Sequence, residues 1–300
     1  MLTIALVCVW AGGFLYSLMV ALAALVLARE WVAMCGRAPD DRLTFWMPVV
    51  LAAAALCSGL GAAGGGLVVL SLGMVAVAAV HGGRFASTSR GGSGRPSPGA
   101  VLSGRPSPGA VLSGQREPHH DDAVGDPAPP ARATLSLAFG FPYLGLAAVA
   151  LPRMRLDPVV GLANTLFVLS IVWASDIGAY LVGRLIGGPK LAPAISPGKT
   201  WSGAAGGLIG AGLAGMAVAA CFSTGFSPLH VIELALGFGV ISQAGDLLES
   251  ALKRHFGVKD SGRIIPGHGG LLDRVDALLA VAPVAALLAL IVGRGVVLWR

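Results

Sequence analysis

The chain has 300 residues, of which 55% are hydrophobic and only 12% are charged. Soluble globular domains carry about 25% charged residues, so this composition, with a mean hydropathy of +0.78, excludes an ordinary water-soluble protein. The net charge of +6 does not indicate a nucleic-acid partner, because the basic residues interrupt apolar runs and form no continuous stripe. We therefore predict an integral membrane protein that binds no nucleic acid.

Apolar runs long enough to approach or cross a bilayer recur along the whole chain. They predict an all-α fold, a polytopic transmembrane helix bundle with eight or nine membrane segments. The count is open because Gly12-Gly13 interrupts the first run, which is either one tilted helix or a short hairpin. The runs lie near residues 2–28, 45–60, 62–81, 134–151, 158–183, 203–222, 229–249 and 276–298.

Lys and Arg are distributed unevenly over the loops between these runs. Of the 21 basic residues, 17 fall in alternate loops that share one side of the membrane. The positive-inside rule makes that side cytoplasmic, so we expect a bacterial inner membrane protein whose active site faces the cytoplasm. The basic loops cover residues 29–44, 82–133, 184–202 and 250–275.

One long loop differs in composition from the rest of the chain. The sequence SGRPSPGAVL at 93–102 is repeated letter for letter at 103–112. Such a segment, rich in proline, glycine and serine, cannot bury enough apolar surface to offset the entropy cost of ordering it. We predict a disordered cytoplasmic linker at 82–133, between N-terminal transmembrane helices at 1–81 and a catalytic transmembrane domain at 134–300.

Ionisable residues inside apolar helices are energetically costly and therefore informative. Asp176 is the first of these, within an otherwise apolar run near the cytoplasmic side. It is either a functional carboxylate or the structural ion-pair partner of Arg184.

The loop that follows ends in Gly198-Lys199-Thr200, which superficially matches a P-loop. The P-loop pattern requires glycine at the position that Pro193 occupies, and no strand is predicted before this segment. What remains is a turn with Ser196, Lys199 and Thr200 that enters a helix, which is a plausible phosphate-binding arrangement.

A third cluster spans the end of one predicted helix and the start of the last. Asp246, Glu249 and Lys253 share a helix face at 3.6 residues per turn, and Asp273 and Asp276 are likewise one turn apart. Carboxylates beside basic residues at a membrane face suit a divalent cation with phosphate ligands. The alternative is an ion-pair network that anchors the helix ends.

The spacing of these residues resembles a family signature. It reads Ser250-x-x-Lys253-Arg254-x4-Lys259-Asp260-x5-Pro266-x-His268-Gly269-Gly270-x-x-Asp273-Arg274-x-Asp276, and it is similar to that of the phosphatidate cytidylyltransferases, also called CDP-diacylglycerol synthases. The stretches at 175–188, 195–201 and 245–250 are similar to that family as well, and Ala28-Arg29-Glu30-Trp31 more loosely. Ser202 stands where the family usually has Glu.

The resemblance implies that CTP and phosphatidate react to CDP-diacylglycerol and pyrophosphate in the bilayer, with Mg²⁺ as cofactor. A CTP- or ATP-dependent lipid kinase and a transporter are the alternatives, and a homodimer is left open. We assign catalytic roles to Asp246, Asp273, Lys253 and Lys199, and metal binding to Asp246, Asp273 and Asp276. Substrate contacts are assigned to Ser196, Thr200, Arg254, Lys259, His268, Arg274 and Asp176.

Overall fold

The computed structural model describes residues 2–36, 42–62, 64–76, 130–223, 225–262 and 269–300. Within these ranges the chain forms nine helices and one two-stranded sheet. The helices are α1 (Leu2–Ala11), α2 (Gly13–Met34), α3 (Arg42–Gly59), α4 (Gly64–Ala76), α5 (Pro130–Arg155), α6 (Gly161–Ile186), α7 (Trp201–Phe222), α8 (Pro228–His255) and α9 (Leu272–Val292), and the strands are β1 (Lys190–Ala192) and β2 (Ser196–Thr200).

The nearly all-helical prediction is confirmed. Six helices, α2 and α5 to α9, are long and apolar enough to cross a bilayer by length and composition. The apolar parts of α3 and α4 are shorter, so the count of eight or nine membrane segments stays a prediction. The proposed linker at 82–133 lies outside the described residues as far as 129, and α5 begins at Pro130.

The first apolar run is two helices, because the backbone turns at Gly12 with a φ of 65°. Glycine adopts this left-handed conformation without the steric cost that other residues incur. The guanidinium of Arg155 fills the break and donates to the carbonyls of Val9 at 2.7 Å and Trp10 at 3.0 Å. These carbonyls at the end of α1 lack helical partners, so a residue at the end of α5 caps α1.

The structure differs from the all-α prediction in the segment that joins α6 to α7. This segment is an antiparallel hairpin in which Lys190 pairs with Thr200 and Ala192 pairs with Ser196. The strands are only three and five residues long, and β2 contains proline and glycine, so they carry no period-two pattern that sequence reasoning could detect. The hairpin brings β2 directly to the start of α7.

Helices α6 and α7 pack along a glycine seam, formed by Gly178 on α6 and by Gly203, Gly206 and Gly210 on α7. A Cβ atom added at Gly178 would lie 2.5 Å from the carbonyl oxygen of Gly206, which no side chain tolerates. Small residues allow membrane helices to approach until their backbones touch. The seam therefore fixes the hairpin and the polar end of α6 close to α8.

Two apolar clusters complete the packing. The first surrounds Trp31 of α2, whose ring centroid lies 5.6 Å from that of Tyr143 and 6.0 Å from that of Phe256. A hydrogen bond from Ser58 Oγ to the carbonyl of Val149, at 2.7 Å, joins α3 to α5 within it. The second cluster is built mainly by α6, α7, α8 and α9 with the chain end.

The chain end is held at the face of the bundle where α5 meets α6. The carboxylate of Asp157 accepts hydrogen bonds from the backbone N–H groups of Val159, Val160 and Gly295, at 2.8 to 3.0 Å. Burial alone would raise the pKa of Asp157, but these three donors outweigh it and hold the pKa below its usual range. The charged carboxylate therefore ties residues 293–300 to the α5–α6 turn.

The glycine seam generates a stability prediction. In Gly206→Ala the new Cβ would lie 2.8 Å from the Gly178 carbonyl oxygen, and such overpacking typically costs about 1–3 kcal/mol. We expect a lower melting temperature in detergent for this variant. The matched control is Gly212→Ala in the same helix, because a Cβ there meets nothing within 4 Å. Equal melting temperatures for the two variants would contradict close backbone packing.

Candidate active site

A cavity of about 510 Å³ opens between α6, α7, α8 and the β-hairpin. Cavities with a largely apolar wall and a few convergent polar groups are typical of ligand sites. Residues that are far apart in the chain meet here, among them four predicted site residues, Asp176, Lys199, Thr200 and Asp246. The complete lining is Asp176, Ala179, Tyr180, Gly183, Arg184, Leu191, Gly198, Lys199, Thr200, Gly203, Ala204, Gln243 and Asp246.

Lys199, near the end of β2, forms an ion pair with Asp246 of α8. The distance between Lys199 Nζ and Asp246 Oδ2 is 2.5 Å, and the side chains are 26% and 31% exposed. A partly hydrated pair such as this stabilises the fold only slightly and can be exchanged for another partner at low cost. The ammonium group is therefore available to an anionic ligand that enters the cavity.

Thr200 ends β2 and caps the N-terminus of α7, a position that threonine favours. Its Oγ1 accepts a hydrogen bond from the Gly203 N–H at 3.1 Å and lies 3.0 Å from Ser202 Oγ. The Ser202 hydroxyl donates to the carbonyl of Gly187, so it ties the start of α7 to the end of α6. The expectation that no strand precedes the Gly198-Lys199-Thr200 segment is wrong, since β1 lies before it and β2 contains it.

Arg184 is not the ion-pair partner of Asp176 in this structure. Its guanidinium donates to the Tyr180 hydroxyl at 2.9 Å and lies 5.9 Å from the centre of that ring. Within the described residues Asp176 makes no ion pair, and it interacts electrostatically with Asp246 and Lys199. Asp176 is thus an unpaired carboxylate on the cavity wall.

A second group of charged residues, the Lys253 network, joins α8 to α9. Lys253 Nζ lies 2.7 Å from Glu249 Oε2 and 2.8 Å from Asp273 Oδ1. Asp273 also accepts hydrogen bonds from the backbone N–H groups of Ser261, at 3.1 Å, and Gly270, at 2.9 Å. The network therefore consists of Glu249, Lys253, Ser261, Gly270 and Asp273, and the predicted meeting of Glu249 and Lys253 on one helix face is confirmed.

Asp276 lies between the Lys253 network and the cavity. One of its oxygens accepts the N–H of Ala277 at 2.8 Å, and its carboxylate interacts electrostatically with those of Asp246 and Asp176. Helices α8 and α9 approach closely at this level, because a Cβ at Gly245 would lie 3.3 Å from the Asp276 carbonyl oxygen. The three aspartates therefore come from α6, α8 and α9.

The remaining predicted substrate-binding residues lie near these two groups or outside the described ranges. Ser196 is half-buried at the first position of β2. Arg254 is exposed, and its Nε donates to a carbonyl of the hairpin at 3.4 Å. Lys259 and Arg274 are exposed on either side of the α8–α9 connection, and His268 lies outside the described residues.

Sequence reasoning missed two polar residues that the structure brings to this region. Gln243 lines the cavity and donates from Nε2 to the carbonyl of Ala204 at 3.0 Å. Glu30 of α2 is buried, and its carboxylate reaches the start of α9. Glu30 lies in the predicted loop at 29–44, outside the apolar runs, so the rule that singles out Asp176 did not select it, and its one signal was the family-like stretch Ala28-Arg29-Glu30-Trp31.

The charge balance of the cavity fits a divalent cation. Asp176 and Asp246 line it, Asp276 interacts electrostatically with both from α9, and Lys199 balances the charge of Asp246. No hydrogen bond from a described residue reaches the second carboxylate oxygen of Asp246 or Asp276. Among the described residues no three His, Cys, Asp or Glu side chains converge closely enough to hold an ion alone. Mg²⁺ needs only one or two protein carboxylates, because water and phosphate oxygens complete its coordination shell. The available oxygens of Asp246 and Asp276 are compatible with that requirement.

Comparison with known proteins gives a consistent result. The sequence model described as "Cytidylyltransferase family" matches residues 1–292. Proteins named phosphatidate cytidylyltransferase are similar over a shorter range. The one from Brucella suis biovar 1 (strain 1330) is 50% identical over 145 residues, 48% of this chain and 53% of the relative. The one from Haemophilus influenzae (strain ATCC 51907 / DSM 11121 / KW20 / Rd) is 46% identical over 164 residues, 50% of this chain and 55% of the relative. The chain spans about half the length of the curated relatives it matches.

Proposed function

The chain belongs to the cytidylyltransferase family, and from this premise we propose that it converts CTP and phosphatidate into CDP-diacylglycerol and pyrophosphate. The observation that carries the proposal is the cavity at the end of an apolar helix bundle, where Lys199 pairs with Asp246 and interacts electrostatically with Asp176. Such a site accepts a phosphate-rich nucleotide and remains next to the bilayer in which the lipid substrate lies. The names of the relatives support the same reaction.

The proposed step is an in-line displacement at phosphorus. A phosphate oxygen of phosphatidate attacks the α-phosphorus of CTP, and a new P–O–P bond forms between lipid and nucleotide. The bond from the α-phosphorus to its bridging oxygen breaks, and the β- and γ-phosphates leave together as pyrophosphate. The phosphate monoester is already anionic near neutral pH, so catalysis requires positioning and charge neutralisation and no dedicated general base.

Each cationic side chain has a proposed role that follows from its position. Lys199 exchanges its contact with Asp246 for the triphosphate, because that pair is partly exposed. Lys253 stays within its network and directs positive charge toward the reacting phosphates, and Arg254 binds the lipid phosphate at the exposed edge. We propose weaker substrate contacts for Ser196, Thr200, Lys259, His268 and Arg274.

Mg²⁺ is the proposed cofactor, and it would be held by Asp246 with Asp276 and Asp273 nearby. When bound, it supplies positive charge against the phosphates. The two free carboxylate oxygens on Asp246 and Asp276 fit this role directly. Asp273 can instead have a purely structural function, since its oxygens already accept hydrogen bonds from Lys253, Ser261 and Gly270.

We also propose that the protein is an inner-membrane enzyme whose cavity faces the cytoplasm. The basic loops at 184–202 and 250–275 support this orientation through the positive-inside rule. In that arrangement eight or nine segments lie in the membrane, with α3 and α4 as shorter elements.

Nucleotide labelled at a single phosphorus tests the proposed function. Purified protein in mixed micelles with phosphatidate and Mg²⁺ should transfer ³²P from the α position of CTP into lipid and release γ-label as pyrophosphate. Lys199→Met should lower this transfer at least ~10-fold, since a charge-assisted phosphate contact is lost, whereas exposed Lys190→Met on the neighbouring strand is the matched control. Incorporation of γ-label into lipid would instead identify a lipid kinase.

The metal proposal predicts a charge-specific loss. Asp246→Asn and Asp273→Asn should each lower turnover at least ~100-fold, because metal charge stabilisation contributes several kcal/mol. The double variant should lose far less than the product of the two if both serve one ion. Exposed Asp260→Asn is the control.

A Mg²⁺ titration separates the two functions open to Asp273. If Asp273 is a metal ligand, Asp273→Asn should raise the Mg²⁺ concentration needed for half-maximal turnover. If Asp273 is purely structural, the substitution should leave that concentration unchanged. Folded Asp246→Asn and Asp273→Asn proteins with parent turnover would show that the carboxylates are structural.

The topology is testable by cysteine labelling of intact cells. In a background without Cys8, Cys35, Cys57 and Cys221, Lys259→Cys should resist an impermeant maleimide applied from outside, and Arg294→Cys should react. Both positions are exposed, so they should label equally after lysis. The reverse pattern in intact cells would invert the proposed orientation.

A further inference from the structure

Glu30 is a buried carboxylate that belongs to neither the cavity nor the Lys253 network. It lies one turn before the end of α2, and only 3% of the residue is exposed. Charged side chains are rarely buried to this extent without partners. Its partners come from the opposite end of the chain, more than 230 residues later.

The three hydrogen bonds that Glu30 accepts from described residues all come from the stretch between Ser261 and the start of α9. Oε1 accepts the N–H of Leu271 at 2.8 Å, and Oε2 accepts the N–H of Leu272 at 2.7 Å. Oε2 also lies 3.3 Å from the Ser261 hydroxyl, which donates to it. The first N–H groups of a helix have no helical acceptor, and a negative charge at this end is favoured by the helix dipole.

The sequence of α9 supplies no local alternative to this cap. The N-cap position is Leu271, whose side chain makes no capping hydrogen bond. A carboxylate from α2 therefore does what serine, threonine or aspartate at the N-cap does in other helices. Without Glu30, the N–H groups of Leu271 and Leu272 would remain buried with no acceptor, which is energetically costly.

The same segment carries Asp273, so Glu30 and the Lys253 network hold it from two sides. The hydroxyl of Ser261 binds Glu30, while its backbone N–H binds Asp273. Gly270 packs directly against Glu30, because a Cβ atom added at Gly270 would lie only 2.8 Å from Glu30 Oε2. A displacement of the segment at Glu30 would therefore move Asp273 relative to Lys253.

Trp31 makes α2 a rigid support for this contact. Its side chain is completely buried, and its ring packs edge-on against Phe256 at 6.0 Å, immediately after α8. Its Nε1 donates to the carbonyl of Ser136 at 3.2 Å. Because the neighbouring residue is fixed against α5 and α8, the Glu30 carboxylate has a fixed position relative to both.

We propose that Glu30 is a positioning residue for the reaction: it holds the start of α9 so that Asp273 meets Lys253 in the active geometry. The proposal rests on the proposed function for its catalytic part. It assigns to the N-terminal helices a direct part in building the site. It also distinguishes Glu30 from a general packing residue, because the predicted effect is local to residues 261–273.

Glu30→Gln tests the proposal, with exposed Glu233→Gln on α8 as the matched control. Glutamine offers one carbonyl oxygen and places an NH₂ group against a backbone donor, so at least one of the three bonds is lost. In Glu30→Gln, hydrogen–deuterium exchange should become faster in the peptide that contains Leu271 and Leu272. At a temperature where the variant is fully folded, kcat should fall at least ~10-fold with a smaller change in KM for CTP, as expected when a charged hydrogen bond is lost. Glu233→Gln should change neither quantity.

The two readouts separate failure of the inference from failure of the proposed function. Faster exchange with parent kcat would overturn the positioning role, and unchanged exchange would overturn the cap itself. A parent protein without cytidylyl transfer would remove the proposed function, and the catalytic part of the inference with it, while exchange still decides the cap. If Glu30→Gln does not fold, Ser261→Ala decides, because it removes only the hydroxyl bond and should lower kcat by a smaller factor. Parent kcat and parent exchange in Ser261→Ala would then overturn the proposal.

Discussion

The ammonium group of Lys253, held between the carboxylates of Glu249 and Asp273, determines how α8 and α9 are joined. Glu249 is only 1% exposed, so its charge would be very costly without a close cation. Lys253 supplies that cation, and the same ammonium group contacts Asp273 of α9, which accepts hydrogen bonds from backbone donors of the connecting segment. A chain of charged contacts thus adds to the apolar packing of Phe256 and Leu272 at this end of the bundle.

Much of the helical framework could be predicted from the sequence, and individual helices and turns show why some parts were predictable and others were not. Long apolar runs located α6, α7 and α8 closely, because bilayer thickness sets the length of such helices. The break at Gly12 could not be decided, since it depends on Arg155, a residue of a different helix. The hairpin was missed for the same kind of reason: its strands are too short for a periodic pattern, and they form because the α6–α7 seam brings their ends together.

The candidate site was predictable residue by residue but not as a geometry. Lys199, Asp246 and Asp176 were all identified as costly polar residues, and they do line one cavity. Which residues pair could not be derived, because helix periodicity describes one helix at a time. Asp246 therefore appeared to belong with Lys253, whereas it pairs with Lys199 across the cavity. The partners of Glu30 could not be derived either, because two of them are backbone N–H groups, which leave no mark in the sequence.

The hydrogen bond between Ser58 and Val149 bears on how this chain tolerates changes in length. It closes a loop of 91 residues that contains both copies of the duplicated decapeptide. For a linker as disordered as the composition of 82–133 predicts, the entropy of closure grows only with the logarithm of its length, so ten added residues would cost about 0.2 kcal/mol. The stability of such a contact therefore depends only weakly on the number of residues between Ser58 and Val149. We therefore expect tandem duplication in this stretch to be close to neutral for folding, with the helices on either side unchanged.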